Sequence, residues 1–211
     1  MGCAIRRCKA MTAFVLLWAG LAVAETGKAN ITVRVTDSAG VPPLILQQAE
    51  LETEQIFRAA RVEIVWVNCS RGAETQKACN RVPDPHEYVV HIVRTGRVNS
   101  DSVFGVAFLG ADGRGKYCDV FFGRVEKLHS SVGMSTARLL GAVTAHELGH
   151  LLLGSHAHSP IGIMMPRWED QSLRRIGMGT FLFTSEQASV MKARLGREDA
   201  GLIRAGNGAG K

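Results

Sequence analysis

Apolar and polar positions alternate along the first half of the chain in a way that predicts extended strands. Residues 31–35 alternate strictly, as a half-buried strand does. Runs rich in β-branched residues at 62–67 and 88–93 predict two further strands. Two shorter apolar segments, 103–109 and 117–122, flank a glycine-rich stretch and predict two strands joined by a flexible turn.

Helical periodicity predicts a first helix between the first two strands. Pro42 and Pro43 open it, because proline is favoured in the first turn of a helix, and it extends to Arg61. Strands that alternate with helices predict an α/β fold with a mixed sheet of about five strands. The apolar stripe of this helix consists of Leu44, Leu46, Ala49, Ile56 and Ala59.

Two more main helices are predicted in the second half of the chain. One begins near Ser135 or Thr136, which can serve as its N-cap. The other begins at Thr184, with Gln187 at the reciprocal capping position, and is predicted to end at Gly196.

The first 24 residues have the pattern of a secretory signal peptide. Basic residues at 6, 7 and 9 precede an apolar run at 10–21, and an Ala-Val-Ala sequence ends the segment as a cleavage site would. The run is short for a membrane span, so we expect no stable membrane anchor and a secreted or periplasmic location. One domain, residues 25–196, would follow, with a Gly- and Ala-rich tail at 197–211 predicted to be disordered.

Charge argues against nucleic acid as a partner. The formal net charge of +6 includes three signal-peptide cations and no signal-peptide acids, so the mature chain is near +3. No basic run is interleaved with aromatic residues, so we expect no nucleic-acid partner, and we expect the protein to be a monomer.

The three cysteines of the mature chain predict one disulfide. Cys69 and Cys79 bracket a short polar loop and are the expected pair in an oxidising compartment. Cys118 lies in a strand-like run and is expected to remain a buried thiol.

Four of the seven histidines lie between residues 146 and 158, and their spacing is typical of a metal site on a helix. His146 and His150 are four residues apart, so both imidazoles can reach one zinc ion from the same helix face. Glu147 is rotated by about 100° from His146, so its carboxylate would lie beside the metal and take a proton from a metal-bound water. The pattern therefore predicts zinc-dependent hydrolysis.

The wider pattern resembles the metzincin clan of zinc metalloendopeptidases, closest to its matrixin branch. His146, Glu147, His150 and His156 match the H-E-x-x-H-x-x-G-x-x-H signature, and Met164 follows eight residues later as the methionine of a Met-turn would. The resemblance implies a metzincin-like single domain with a Met-turn, in which the three histidines bind zinc and Met164 lies beneath them. It also implies a peptide or protein substrate.

One departure from the signature leaves the third ligand open. The glycine of the signature falls on Leu153, and a glycine occurs one residue later, at Gly154. A register that followed the glycine would place the ligand on Ala157, which has no coordinating atom, with His156 and His158 on either side. His156 is the predicted ligand because it keeps the spacing to His150, and His158 is the alternative.

The resemblance also implies a substrate-binding strand. In metzincins the strand at this place in the order lies at the sheet edge above the cleft and pairs with extended substrate. The corresponding residues here are Gly105, Val106, Ala107, Phe108 and Leu109.

Two other functions fit parts of the pattern. A zinc peptidase of another class would use a downstream glutamate as third ligand, and Glu169 lies nineteen residues beyond His150. This alternative leaves His156 and Met164 unexplained. A secreted zinc-binding recognition module without turnover is the second alternative, and the presence of Glu147 argues against it.

Overall fold

The computed structural model describes residues 29–69, 79–96, 100 and 102–208, without the side chains of 199 and 201–208. The predicted signal peptide, 1–24, lies outside the described residues. Five strands form one sheet, which confirms the predicted α/β class. The strands are β1 (Ala29–Asp37), β2 (Val62–Asn68), β3 (Glu87–Val93), β4 (Gly105–Phe108) and β5 (Tyr117–Phe121).

The sheet is mixed, with the order β2-β1-β3-β5-β4. Four strands are parallel, and β4 pairs antiparallel with β5 at one edge. The prediction of an edge strand at this place in the chain is therefore confirmed. Among the described strands β4 pairs with β5 alone, so its second row of backbone groups faces away from the sheet, where the Ala107 N–H donates to the Glu147 carboxylate and the other groups can meet another partner.

In the described part of the chain five helices accompany the sheet, two more than the three main helices predicted. They are α1 (Pro43–Ala59), α2 (Phe122–Val132), α3 (Thr136–Leu153), α4 (Asp170–Gly177) and α5 (Ser185–Gly208). Helix α2 begins directly after β5, and both Phe121 and Phe122 are buried. The prediction that the strand includes residue 122 is therefore wrong, because a short buried apolar run does not distinguish the end of a strand from the start of a helix.

The predicted stripe of α1 is correct at its centre and wrong at its ends. Leu46, Ala49 and Ile56 are buried, whereas Leu44 is 64% exposed. Leu44 lies two positions, about 200°, from Leu46 around the helix and so points away from the sheet. Ala59 is exposed as well, and Phe57, which the stripe omitted, is fully buried.

Helix α5 begins as predicted but ends later. The Thr184 hydroxyl accepts a hydrogen bond from the backbone N–H of Gln187, and the side-chain oxygen of Gln187 accepts one from the backbone N–H of Thr184. These two bonds confirm the predicted capping box. The predicted end at Gly196 is wrong, because the helix continues to Gly208 through much of the predicted disordered tail. A glycine inside a helix costs only about 1 kcal/mol. Two residues after Gly196, the Glu198 carboxylate oxygen Oε2 lies 3.8 Å from Lys116 Nζ.

The core lies between one face of the sheet and helices α1 and α3. Helix α3 is buried almost all round, which places its polar residues against the interior. The predicted Cys69–Cys79 disulfide is present, and Cys118 is a buried free thiol, as predicted. Among the described residues, no helix combines the length and the apolar character needed to cross a membrane.

Candidate metal centre

Helix α3 presents three polar side chains at the point where it meets the edge strand. His146 is 9% exposed, and Glu147 and His150 are each 5% exposed. The helix ends at Gly154, which adopts the left-handed conformation with φ of 66°, and there the chain turns back towards the histidines.

Backbone carbonyls fix the orientation of the two helical imidazoles. His146 Nδ1 lies 2.8 Å from the Ile163 carbonyl oxygen, and His150 Nδ1 lies 2.7 Å from the Ser155 carbonyl oxygen. A carbonyl accepts hydrogen bonds only, so each Nδ1 carries a proton and donates it. The two Nε2 atoms then point at each other, 3.1 Å apart.

This arrangement of nitrogens fits a shared cation. A neutral imidazole has one N–H, and in both rings that proton is on Nδ1, so two lone pairs face each other across the gap. Two nitrogens bound to one tetrahedral zinc ion at about 2.0–2.1 Å would lie about 3.3 Å apart. The observed separation of 3.1 Å matches that value closely, and the carbonyl-bound Nδ1 atoms are typical of histidines that bind a metal.

The third histidine in the cluster is His158. Its ring centroid lies 5.3 Å from that of His146 and 5.0 Å from that of His150. One nitrogen from each of these three histidines lies within 4.8 Å of the others. His156, the predicted third ligand, is outside this cluster, with its ring 6.1 Å from that of His150.

The path of the chain after α3 explains this difference. The helix continues through Leu153, so the turn forms at Gly154, one residue later than in the signature. The Ser155 carbonyl then faces His150, and the Ser155 hydroxyl accepts a hydrogen bond from the Ala157 amide. The longer helix delays the return of the chain and brings His158, the alternative left open by the sequence, to the cluster.

Glu147 is held between α3 and the edge strand. The backbone N–H of Ala107 donates a hydrogen bond to its carboxylate, which lowers the pKa, but burial is the larger effect and raises the pKa of Glu147 to about 8. A Cβ added at Gly105 would lie 2.6 Å from Glu147 Cγ, so only a glycine fits there. Burial also lowers the pKa of His146 to about 4 and keeps the ring neutral, as a metal ligand must be.

A cleft of about 260 Å³ opens over the histidines, between β4 and the segment after Met164. Gly105, Val106 and Ala107 line it, whereas the predicted Phe108 and Leu109 do not. Phe108 is 51% exposed. Of the predicted binding segment, the structure therefore brings the first three residues to the cleft.

An aromatic wall closes one side of the cleft. Trp168 stacks on Phe104 with ring centroids 6.2 Å apart, and it forms a T-shaped pair with His146, with ring centroids 6.0 Å apart. The sequence pattern did not predict a role for Phe104, because an aromatic residue before a short strand is as typical of a core. Its position beside the cleft depends on the pairing of β4 with β5.

Met164 is fully buried against α3. A Cβ added at Gly149 would lie 2.6 Å from the Met164 sulfur. The preceding residue, Ile163, supplies the carbonyl that orients His146. Glu169, considered as an alternative ligand, is exposed at the N-cap of α4 and is absent from the one histidine cluster found among the described residues.

No protein-family model matches this sequence, and no curated protein is significantly similar to it. The fold is similar to the crystal structure of a zinc-dependent peptidase from Methanocorpusculum labreanum (strain Z). The superposition has a TM-score of 0.51 and covers 75% of this chain and 99% of that one, with 13% sequence identity. At that identity the similarity shows the fold, a single α/β domain of the kind that a zinc peptidase adopts.

Proposed function

We propose that this protein is a zinc-dependent endopeptidase of the metzincin type. The observation that carries the proposal is the pair of imidazole Nε2 atoms 3.1 Å apart, with both Nδ1 atoms bound to carbonyls and a third histidine beside them. A buried carboxylate on the same helix and a cleft above the cluster complete the arrangement. The zinc-dependent peptidase with a similar fold supports the same class.

His146, His150 and His158 would hold the zinc ion, and Met164 would form the apolar floor beneath them. The bound ion would supply Lewis acidity, which lowers the pKa of a water molecule to about 7 and polarises the substrate carbonyl. The three imidazoles are neutral donors, since burial lowers the pKa of each of them. Carbonyl oxygens at both Nδ1 atoms of the helical pair prevent the rings from turning away.

Glu147 would act as the general base. Its carboxylate accepts a proton from the attacking water and then donates that proton to the amine that leaves when the peptide bond breaks. The Ala107 amide keeps the carboxylate at the end of the cleft during both transfers. Its burial excludes the bulk water that would compete for the proton.

The free edge of β4 would bind the substrate as an added strand. Gly105 and Ala107 line the cleft, and among the described strands β4 pairs with β5 alone. Glu147 engages the Ala107 N–H, so the other backbone groups of this edge are those open to a peptide. An extended peptide could therefore form main-chain hydrogen bonds to this edge, whatever its sequence. The location we propose is secreted or periplasmic, which the Cys69–Cys79 disulfide supports.

Zinc content tests the ligand set. We expect the parent protein and His156→Ala to bind one zinc ion per chain after dialysis, and His158→Ala to lose it, because two imidazoles alone hold the ion weakly. Metal analysis by mass spectrometry gives the stoichiometry. Loss of zinc from His156→Ala with retention by His158→Ala would show that the signature spacing, not the observed cluster, identifies the third ligand.

Digestion of casein tests the activity. Glu147→Gln should retain zinc and lose at least about 100-fold in rate, the size of effect expected for a general base. Glu186→Gln, an exposed residue in the first turn of α5, is the matched control and should digest casein at the parental rate. A zinc-loaded parent that cleaves no peptide, or a Glu147→Gln protein as fast as the parent, would contradict the proposed peptidase.

A further inference from the structure

Of the four histidines between residues 146 and 158, His156 is the one that does not belong to the metal cluster, and it lines the cleft. Apart from the three clustered histidines and Glu147, four cleft-lining residues carry a side-chain N–H or O–H: Ser102, His156, Arg167 and Trp168. His156 is exposed, and its ring centroid lies 6.1 Å from that of the proposed ligand His150. It is also two residues from His158, so any movement of its backbone is coupled to the cluster.

The turn that carries His156 is anchored on both sides. Before it, the Ser155 carbonyl accepts a hydrogen bond from His150, and the Ser155 hydroxyl accepts one from the Ala157 amide. After it, His158 joins the cluster. The imidazole is therefore presented to the cleft by a fixed backbone, as a group must be if it is to act on a reacting bond.

We infer that His156 is a further catalytic residue, which donates a hydrogen bond to the carbonyl oxygen of the peptide bond being cleaved. This inference rests on the proposed peptidase function. When the water oxygen adds to the carbonyl carbon, the π electrons move to the carbonyl oxygen, which gains negative charge. An imidazole N–H of His156 stabilises that charge without transferring its proton, so the histidine is unchanged at the end of the reaction.

A hydrogen bond of this kind is formed mainly in the transition state. It lowers the barrier and therefore affects kcat more than KM. Loss of a buried oxyanion donor costs about 100- to 1,000-fold in kcat. Because His156 is exposed to solvent, which screens its interaction, we expect a smaller loss of about 10- to 100-fold.

The test compares His156→Ala and His156→Gln with the parent. The glutamine amide retains an N–H donor and should recover part of the lost kcat. We expect both variants to bind one zinc ion, with KM within about twofold of the parental value and kcat about 10- to 100-fold lower for alanine. His91→Ala is the control, because neither His91 nor its side-chain partners Ser38 and Asp119 line the cleft, and it should not affect kcat.

Inhibitor binding provides a second readout that does not depend on turnover. A phosphinic peptide built on the best-cleaved casein sequence carries tetrahedral, charged oxygens and should bind His156→Ala about 10- to 100-fold more weakly than the parent by calorimetry. The uncleaved peptide should bind equally well to Glu147→Gln with and without the His156→Ala change. These two results together would assign the interaction to the transition state.

Two outcomes would overturn the inference. If His156→Ala loses its zinc, His156 is a ligand and not a hydrogen-bond donor to the substrate. If zinc, kcat and phosphinic-peptide affinity are all parental, the residue has no part in the reaction. Both outcomes can be distinguished from failure of the proposed function. In that case the parent protein itself would bind no zinc or would cleave no peptide.

Discussion

At the scale of single residues, the site depends on glycines that leave room for functional side chains. Gly149 lies on α3 between the clustered histidines His146 and His150, and Met164 and Phe183 fill the space where its side chain would be. Gly105 leaves the same kind of space for Glu147. A glycine in the middle of a helix reduces its stability by about 1 kcal/mol relative to alanine, and the close packing that the glycine permits offsets this loss.

Replacing Gly149 by alanine should therefore destabilise the protein. The added Cβ would lie 2.6 Å from the Met164 sulfur and 2.8 Å from a ring carbon of Phe183, so the buried turn would have to move. Overpacking of this kind costs about 1–3 kcal/mol, more than the gain in helix propensity. Urea denaturation of the zinc-loaded protein gives the change in the free energy of unfolding.

The matched control is Gly196→Ala on α5. No atom lies within 4 Å of the Cβ that alanine would add there, so we expect a gain of about 0.5–1 kcal/mol from helix propensity alone. Equal gains at the two glycines would contradict close packing at position 149.

At the scale of elements, the structure pairs one buried helix with one edge strand. Helix α3 carries the helical histidines and the base, and β4 supplies the amide that holds the base. Because the Ala107 amide is engaged with Glu147, a proline at position 107 would disturb the base as well as the edge. The contribution of β4 to binding is therefore better tested on the substrate.

Ester substitution in a peptide substrate should reveal the strand addition. Replacing one backbone N–H of the substrate by an ester oxygen removes one donor to the β4 edge. We expect affinity for zinc-loaded Glu147→Gln to fall by about 1 kcal/mol at alternate positions, since only every second residue of a strand faces a given neighbour. A calorimetric scan with no alternation, or with no loss at any position, would exclude main-chain pairing.

A second element-scale prediction concerns the disulfide that closes the segment between β2 and β3. Cys69 follows β2 directly, and the Cys79 carbonyl accepts a hydrogen bond from the buried Arg34 side chain on β1. The two cysteines are ten positions apart, so the chain-entropy model gives a stabilisation of roughly 3 kcal/mol.

The double variant Cys69→Ala/Cys79→Ala should lose about that amount in urea denaturation and keep its zinc. Dithiothreitol should reduce the stability of the parent to the level of the variant and leave the variant unchanged. A variant as stable as the oxidised parent would show that Arg34 and Glu87, whose buried ion pair spans 3.2 Å, are enough to hold the segment.

At the scale of the whole molecule, metal binding should be coupled to folding. The three clustered histidines come from α3 and from the segment after it, and the carbonyl that orients His146 comes from Ile163, next to the buried Met164. These parts come together only in the folded chain. Zinc should therefore stabilise the native state as any ligand specific for it does.

With free zinc at about 100 times its Kd, the stabilisation should be about 2.7 kcal/mol. For a domain of this size that corresponds to a rise in Tm of about 5–10 °C. Scanning calorimetry with zinc and with a chelator measures the shift, and His158→Ala should lack most of it. Equal Tm values for the parent in both conditions would mean that the cluster binds no zinc in the native state.

The sequence by itself determined the local parts of this protein. The i, i+4 spacing of His146 and His150 fixes two ligands on one face of a helix, and the capping box at Thr184 fixes the start of another. The pairing of Cys69 with Cys79 follows from their proximity along the chain. All of these depend on residues within about ten positions of one another, where backbone geometry alone decides.

Only the tertiary structure decided which histidine joins that pair, because the answer depends on the path of the chain after α3. The longer helix and the turn at Gly154 bring His158 to the cluster and leave His156 at the rim of the cleft. The place of Glu147 against β4 depends likewise on strand pairing between distant segments. Such contacts depend on how the whole core packs, and the pattern of residues along the chain does not specify that packing.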